Sequence, residues 1–177
     1  MKLNYIIIFL LINLFSSVGL SQTIAVVNIQ SLIDNNHFYN NILKEIEINQ
    51  QTYLTDFNNK ENDLKTILKE IEDSKLILSE DEINLRIDNY NNALSEFTIL
   101  IEEFNIHYQN QIILIRESIL KEIINLLEKY AIENSLDLVL DSTSYLIASN
   151  SLDITNDIKT ELEKLNLNLD YKDFEKN

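Results

Sequence analysis

The sequence has no cysteine and no proline, and its one glycine, Gly19, lies near the N-terminus. Without cysteine there is no disulfide framework and no thiolate metal site. Without proline or a later glycine, little after residue 20 obliges a helix to stop. Basic charge is also scarce: 14 Lys and Arg stand against 29 Asp and Glu, a formal charge of −15. Such a surface repels nucleic acid and anionic lipid headgroups at long range, so nucleic acid is not an expected partner. It also keeps a chain rich in exposed apolar groups soluble. The abundance of Asn, Ile, Lys and Glu reads equally as low-GC composition, and the two readings are compatible.

No glycine-rich phosphate loop is present, and His37 and His107 have no partner at metal-ligand spacing. Glu80–Glu82 is an acidic cluster, but helix capping explains it without a cation. Asp141 with Ser142 and Ser144 reads as a turn and not as a nucleophile elbow. The expectation is therefore a protein that is not an enzyme, with no catalytic residues, metal or cofactor.

At the N-terminus, Lys2 precedes an apolar run from Tyr5 to Phe15, interrupted by Asn13. Ser16, Ser17, Gly19 and Ser21 follow as small residues. This is the pattern of a secretory signal over residues 1–21, cut between Ser21 and Gln22, so the mature chain is expected to be exported. An uncleaved anchor is the competing reading; the run falls short of the roughly 20 residues a spanning helix needs.

Residues 40–130 carry the strongest pattern. Ile83, Ile87, Tyr90, Leu94, Phe97, Ile101, Phe104, Tyr108, Ile112, Ile115, Ile119 and Ile123 recur in steps of three and four, a coiled-coil seam. Before them Leu43, Ile46, Tyr53, Phe57, Leu64, Ile67, Leu68 and Ile71 form a leakier seam, with gaps at Gln50 and Lys60. Between the two, Ser79 and Glu82 fit a capping box at a new helix start. The segment reads as an antiparallel helical hairpin with its tip near 76–82. The aromatic series Tyr53, Phe57, Tyr90, Phe97, Phe104 and Tyr108 reads as seam packing more readily than as a contact surface.

Around the hairpin the period changes. Thr23–Ile29 is a β-branched run suited to one buried strand. Leu136, Leu138 and Leu140 alternate with Asp137, Val139 and Asp141, and Tyr145–Ala148 reads as the antiparallel partner of that strand. Asp153 is expected to cap a last helix with Ile154, Ile158, Leu162 and Leu165 as its stripe. Residues 22–39 and 131–166 thus make one discontinuous body, and 167–177 a loose tail whose alternating leucines could add a short strand. The fold class is α+β, mostly helical. The strands must meet to satisfy their edges, and so small a body is expected to oligomerise. Ile24, Val26, Leu138, Leu140 and Ile147 are the expected oligomer body. Ile87, Leu94, Phe97, Ile101, Phe104, Tyr108 and Ile115 are the expected arm seam.

The leader, Ile24-Ala25-Val26-Val27-Asn28, the coil, Leu136 to Asp141, and Asp153-Ile154-Thr155 with its closing helix follow the order of the OmpH/Skp family of periplasmic chaperones, which the chain resembles up to about Asn166. The resemblance implies a homotrimer whose three arms enclose a cavity. That cavity would hold unfolded outer-membrane proteins without ATP. One departure is charge. Residues 76–115 carry Glu80, Asp81, Glu82, Asp88, Glu96, Glu102 and Glu103 against Arg86 alone, so no basic lipid-binding cluster is carried over and membrane contact is left open. The alternative is an envelope coiled-coil adaptor for a folded partner; the strands flanking the coil weigh against it, because a simple rod needs none.

Overall fold

The computed structural model describes residues 22–167, 169 and 171–175. β1 (Ile24–Val27) leads to α1 (Ile29–Asp34), then to α2 (His37–Ser74), α3 (Glu80–Glu133), β2 (Leu138–Asp141) and α4 (Thr155–Lys164). The expected leader through Ser21 lies outside the described residues. The observed class is the expected one: mostly helical, with a long antiparallel hairpin and a small sheet.

The arm is α2 and α3, of 38 and 54 residues. At the helical rise these span roughly 57 and 81 Å. Each helix starts on a side-chain cap. The Asn36 carboxamide oxygen accepts from the Tyr39 N–H at 3.0 Å. At the tip, the Ser79 hydroxyl caps the Glu82 N–H, and the Glu82 carboxylate accepts from the Ser79 N–H at 3.0 Å. The Ser79 hydroxyl bond, ahead of the backbone bond, holds the Glu82 carboxyl below its ordinary range. Glu80, Asp81 and Glu82 occupy the first turn, where the helix dipole favours acids.

The far end of α3 closes with a Schellman motif: Leu136 N–H bonds Ala131 C=O at 2.9 Å and Ser135 N–H bonds Ile132 C=O. The residue forced into the left-handed region is Ser135, at φ 52°. Glycine usually stands there, since a Cβ costs about 1–2 kcal/mol in that conformation.

The sheet differs from expectation. β1 and β2 pair in parallel, with Ile24 opposite Leu138 and Val27 opposite Asp141. Tyr145–Ala148 forms no strand: Leu146 is 100% and Ile147 92% exposed. The reason lies at Asp141, whose carboxylate accepts from the Thr143 hydroxyl at 2.6 Å and from the Ile29 N–H at 3.1 Å. Those bonds turn the chain into a short 3-10 segment at Ser142–Ser144 and end the ladder. The other side of β1 is met by Asp153, bridged to Val26, with the Ile154 N–H on the Val26 carbonyl at 3.0 Å.

Asp153 also accepts from the Thr155 N–H at 2.8 Å, while Ile154 holds the N-cap position of α4. Ala25, Val27, Leu32, Ile33, Ile119, Ile123, Ile158 and Leu162 are buried together, so the base of α3 is part of the body core.

Ser135→Gly should raise stability by about 1 kcal/mol, because it removes the Cβ clash while the motif's backbone bonds are kept. The midpoint of urea unfolding at fixed protein concentration measures this. An unchanged or lower midpoint would contradict it.

Candidate functional site

Three surfaces of the arm and body offer more than self-packing. The first is the sheet edge. Thr23 clasps β2 from outside: its N–H donates to the Asp137 carboxylate at 2.8 Å, its carbonyl accepts the Asp137 N–H at 2.8 Å, and its hydroxyl donates to the Ser135 carbonyl. Ile24 and Leu140 are half-buried, Val26 is buried, and Leu138 is 45% exposed. The far edge of β2 pairs with no strand among the described residues. Ile147 stands apart from this sheet in an irregular, exposed stretch, because the ladder stops at Asp141.

The second surface is the seam and what covers it. Phe97, Phe104, Tyr108 and Ile115 are buried, Ile87 and Ile101 are half-buried, and Leu94 is 39% exposed. From α2, Tyr53 and Phe57 meet them. Ring centroids lie 6.0 Å apart for Phe57–Phe97, 5.0 Å for Phe57–Phe104 and 5.5 Å for Tyr53–Phe104. The two Phe57 pairs are edge-on and the Tyr53–Phe104 pair is tilted; edge-on pairs add about 0.5–1.5 kcal/mol each beyond burial. The aromatic residues therefore pack the seam.

The tail, expected to be loose, lies on this cluster. Phe174 is 7% exposed, with its ring 5.5 Å from Phe104, 5.6 Å from Tyr53 and 5.6 Å from His107. The Tyr108 hydroxyl donates to the Asp173 carboxylate, the Tyr53 hydroxyl to the Phe174 carbonyl and the Asn49 amide to the Tyr171 hydroxyl. Gln111 accepts the Lys172 N–H at 3.0 Å. His107 Nε2 lies 2.8 Å from the Lys172 carbonyl, and since a carbonyl can only accept, that nitrogen carries the proton. Burial, and then the hydrogen bond to Asp173, push the Tyr108 hydroxyl well above the ordinary tyrosine range.

This site was missed because the tail's alternation pointed to a strand, while its actual support comes from helical residues far away in sequence.

The third surface is the outside of α3. Leu85, Ile99, Ile106 and Ile113 are exposed at multiples of seven residues. They sit two positions beyond the Phe97 and Phe104 register, off the buried seam, with Ile99 and Ile106 on the flank that also borders the groove between α2 and α3. Leu76 and Ile77 add exposed apolar groups at the tip. Among the described residues no group of His, Cys, Asp and Glu could hold a metal ion, and no helix is long and apolar enough to cross a membrane. What this arrangement can do is hold a partner by apolar contact along an arm.

A two-stranded parallel body with a long helical hairpin inserted between its strands defines a class, and sequence comparison gives it a family. The profile of the outer membrane protein (OmpH-like) family matches residues 23–162, and the chain belongs to that family. The structure is similar to a crystal structure from Caulobacter crescentus CB15, assigned to the OmpH-like outer membrane chaperones. The TM-score is 0.61 at 12% identity, over 86% of this chain and 92% of that one. No curated protein matches the sequence.

Asp141→Asn tests the body's electrostatic pin. The Thr143 hydroxyl, ahead of the Ile29 N–H, holds Asp141 below the usual aspartate value. A depressed folded-state value means stability that is present above the unfolded value of about 3.9 and lost as pH falls through the lower one. The variant should unfold at lower urea than wild type from pH 7 to pH 5, and the gap should close as the pH falls below about 4. A gap that persists at pH 3 would show that charge is not what Asp141 supplies.

Proposed function

We propose that this protein is an ATP-independent holdase of the periplasm. It is exported by the signal over residues 1–21 and assembled as a homotrimer through the β body. In the space between its arms it holds unfolded outer-membrane proteins against aggregation. The observation that carries this reading is the long arm that closes its own seam yet leaves Leu85, Ile99, Ile106 and Ile113 in a row on its outer face. Exposed apolar surface of that extent on a strongly acidic chain is a contact surface. Membership of the OmpH-like family and likeness to a protein assigned as an outer membrane chaperone support the same reading.

Assembly would use the free edge of β2, where Leu138 is half out of the body and Leu146 and Ile147 stand fully in solvent nearby. Binding would sum many weak contacts inside one enclosure, so a client is held firmly overall while each contact exchanges. No residue acts chemically, and the activity needs no cofactor.

Native mass measurement of the mature protein, alone and with an unfolded outer-membrane β-barrel, tests this. The expected species is a trimer that takes up one unfolded chain. Leu138→Asp should dissociate it and abolish protection of the client from aggregation. A Leu138→Asp monomer that protects fully would sink the reading. A stable dimer indifferent to unfolded chains would favour an adaptor for a folded partner.

A further inference from the structure

The tail is built unlike the rest of the molecule. Leu165, Leu167, Leu169 and Tyr171 are apolar at every second position, and Asn166, Asn168, Asp170 and Lys172 fill the alternate ones. That is the dyad pattern of a strand, here laid on a pair of helices. Leu165 lies beside Ser118 and Glu122, and Phe174 beside Phe104. The tail thus passes 14 to 18 residues of α3, roughly 21–27 Å of helix. Nine residues of extended chain cover about 30 Å.

Its hold is polar and aromatic, and it reaches both helices: Asn49 and Tyr53 on α2, and His107, Tyr108 and Gln111 on α3. The tail also lies beyond the family match, which ends at residue 162. The groove does not stop where the tail does. Glu103 lines both the Phe174 pocket and a neighbouring cavity of about 390 Å³ walled by Phe57, Phe97, Ile99 and Leu100.

We propose that the groove between α2 and α3 is a binding site for an extended segment with an apolar residue at every second position, and that the tail is its resident occupant, displaced when a client arrives. Strands of transmembrane β-barrels carry this same alternation, apolar outward and polar inward. This inference rests on the holdase reading and names the feature of the client that the arm recognises. The tail then competes as a tethered ligand. Short tethers give effective concentrations on the order of millimolar, so a segment of intrinsic Kd about 0.1 mM would be docked about ten times as often as free. A docked tail of that strength shields the aromatic cluster and still yields to a longer client.

The probe is a fluorescein-labelled peptide of residues 165–177, titrated into the full mature chain by anisotropy. The Tyr171→Ser/Phe174→Ser variant should bind it about tenfold more tightly than wild type, with helical circular dichroism unchanged. Since the chain has no cysteine, Gln111→Cys/Lys172→Cys can be closed with a short bis-maleimide to lock the tail down. The locked protein should bind no peptide and lose protection of an unfolded β-barrel, relative to the same cysteine pair left uncrosslinked. Equal peptide affinity in wild type and the Tyr171/Phe174 variant would overturn the proposal, as would full client protection by the locked protein. If wild type fails to protect the barrel while peptide binding still discriminates the variants, the holdase reading falls and the tail remains the groove's tethered ligand.

Discussion

The parallel pairing of β1 with β2 is the constraint on which the rest of the molecule depends. Antiparallel neighbours can be joined by a tight turn; parallel ones need a crossover that leaves one end of the sheet and returns to the other. Here the crossover is the whole arm. The register that sets Ile24 against Leu138 fixes the root of α2 and the root of α3 within one small body. Thr23 then clasps Ser135 and Asp137 at one end of the ladder, and Asp141 ties Ile29 at the other. The entropy of closing so long a crossover grows only slowly with its length, so a four-residue ladder suffices once Ile119 and Ile123 bury against Leu32, Ile33 and Ile158. A slip of one residue would turn Ala25 and Val27 out of that core, which is why the register is well specified.

Packing density falls along α3 from the root of the arm to its tip. At the root, Ile115, Ile119 and Ile123 are fully buried. In the middle the aromatic cluster fills the seam and the tail covers it. Beyond Phe97 the α3 positions Ile87 and Ile83 are only half-buried and Leu94 is 39% exposed, and Leu76 and Ile77 stand in solvent. The sequence suggested a firm second helix and a leaky first one. The structure shows a gradient along α3, whereas α2 stays buried at Leu64 and Ile71 almost to the tip. Buried apolar contact is what makes local opening costly, so the tip beyond Ile71 is the part with least resistance to fraying, and the capping box at Ser79 restores some order where the seam cannot.

The long elements were legible because their signals are local. The three-and-four spacing from Phe97 to Ile123, the Ser79–Glu82 cap and the β-branched Ile24–Val27 each announce themselves within a few residues. The sense of the sheet was not legible. Leu136–Asp141 and Tyr145–Ala148 look like a hairpin by pattern and spacing, and what prevents it is the Asp141 carboxylate, engaged by Ile29 from 112 residues away. The end of α3 was hidden for a related reason: the left-handed position is filled by Ser135, with no glycine to mark it. The tail was misread because its period-two pattern says nothing of its support. Asn49, Tyr53, His107 and Tyr108 each have an ordinary place in a helix, and only the fold brings them to one groove.

An arm that is both acidic and apolar must hold a partner without a strong single contact, and the magnitudes show how. Full burial of an isoleucine side chain is worth about 1.5–3 kcal/mol, and a glancing contact a fraction of that. On the holdase reading proposed above, each of Leu85, Ile99, Ile106 and Ile113 would release a client segment readily, while several engaged together would retain the chain. The carboxylates act at a different range. At physiological ionic strength their field decays over about 8 Å, so it opposes the approach of another acidic arm only when the two are nearly touching. Repulsion of that reach keeps apolar rows from collapsing onto their counterparts in a neighbouring copy but leaves them open to a less charged, extended segment. The same balance bears on the tail. Its aromatic anchors Tyr171 and Phe174 are buried or half-buried on the arm, while Asp173 and Glu175 lie beside Glu103, so packing holds the tail and charge opposes it.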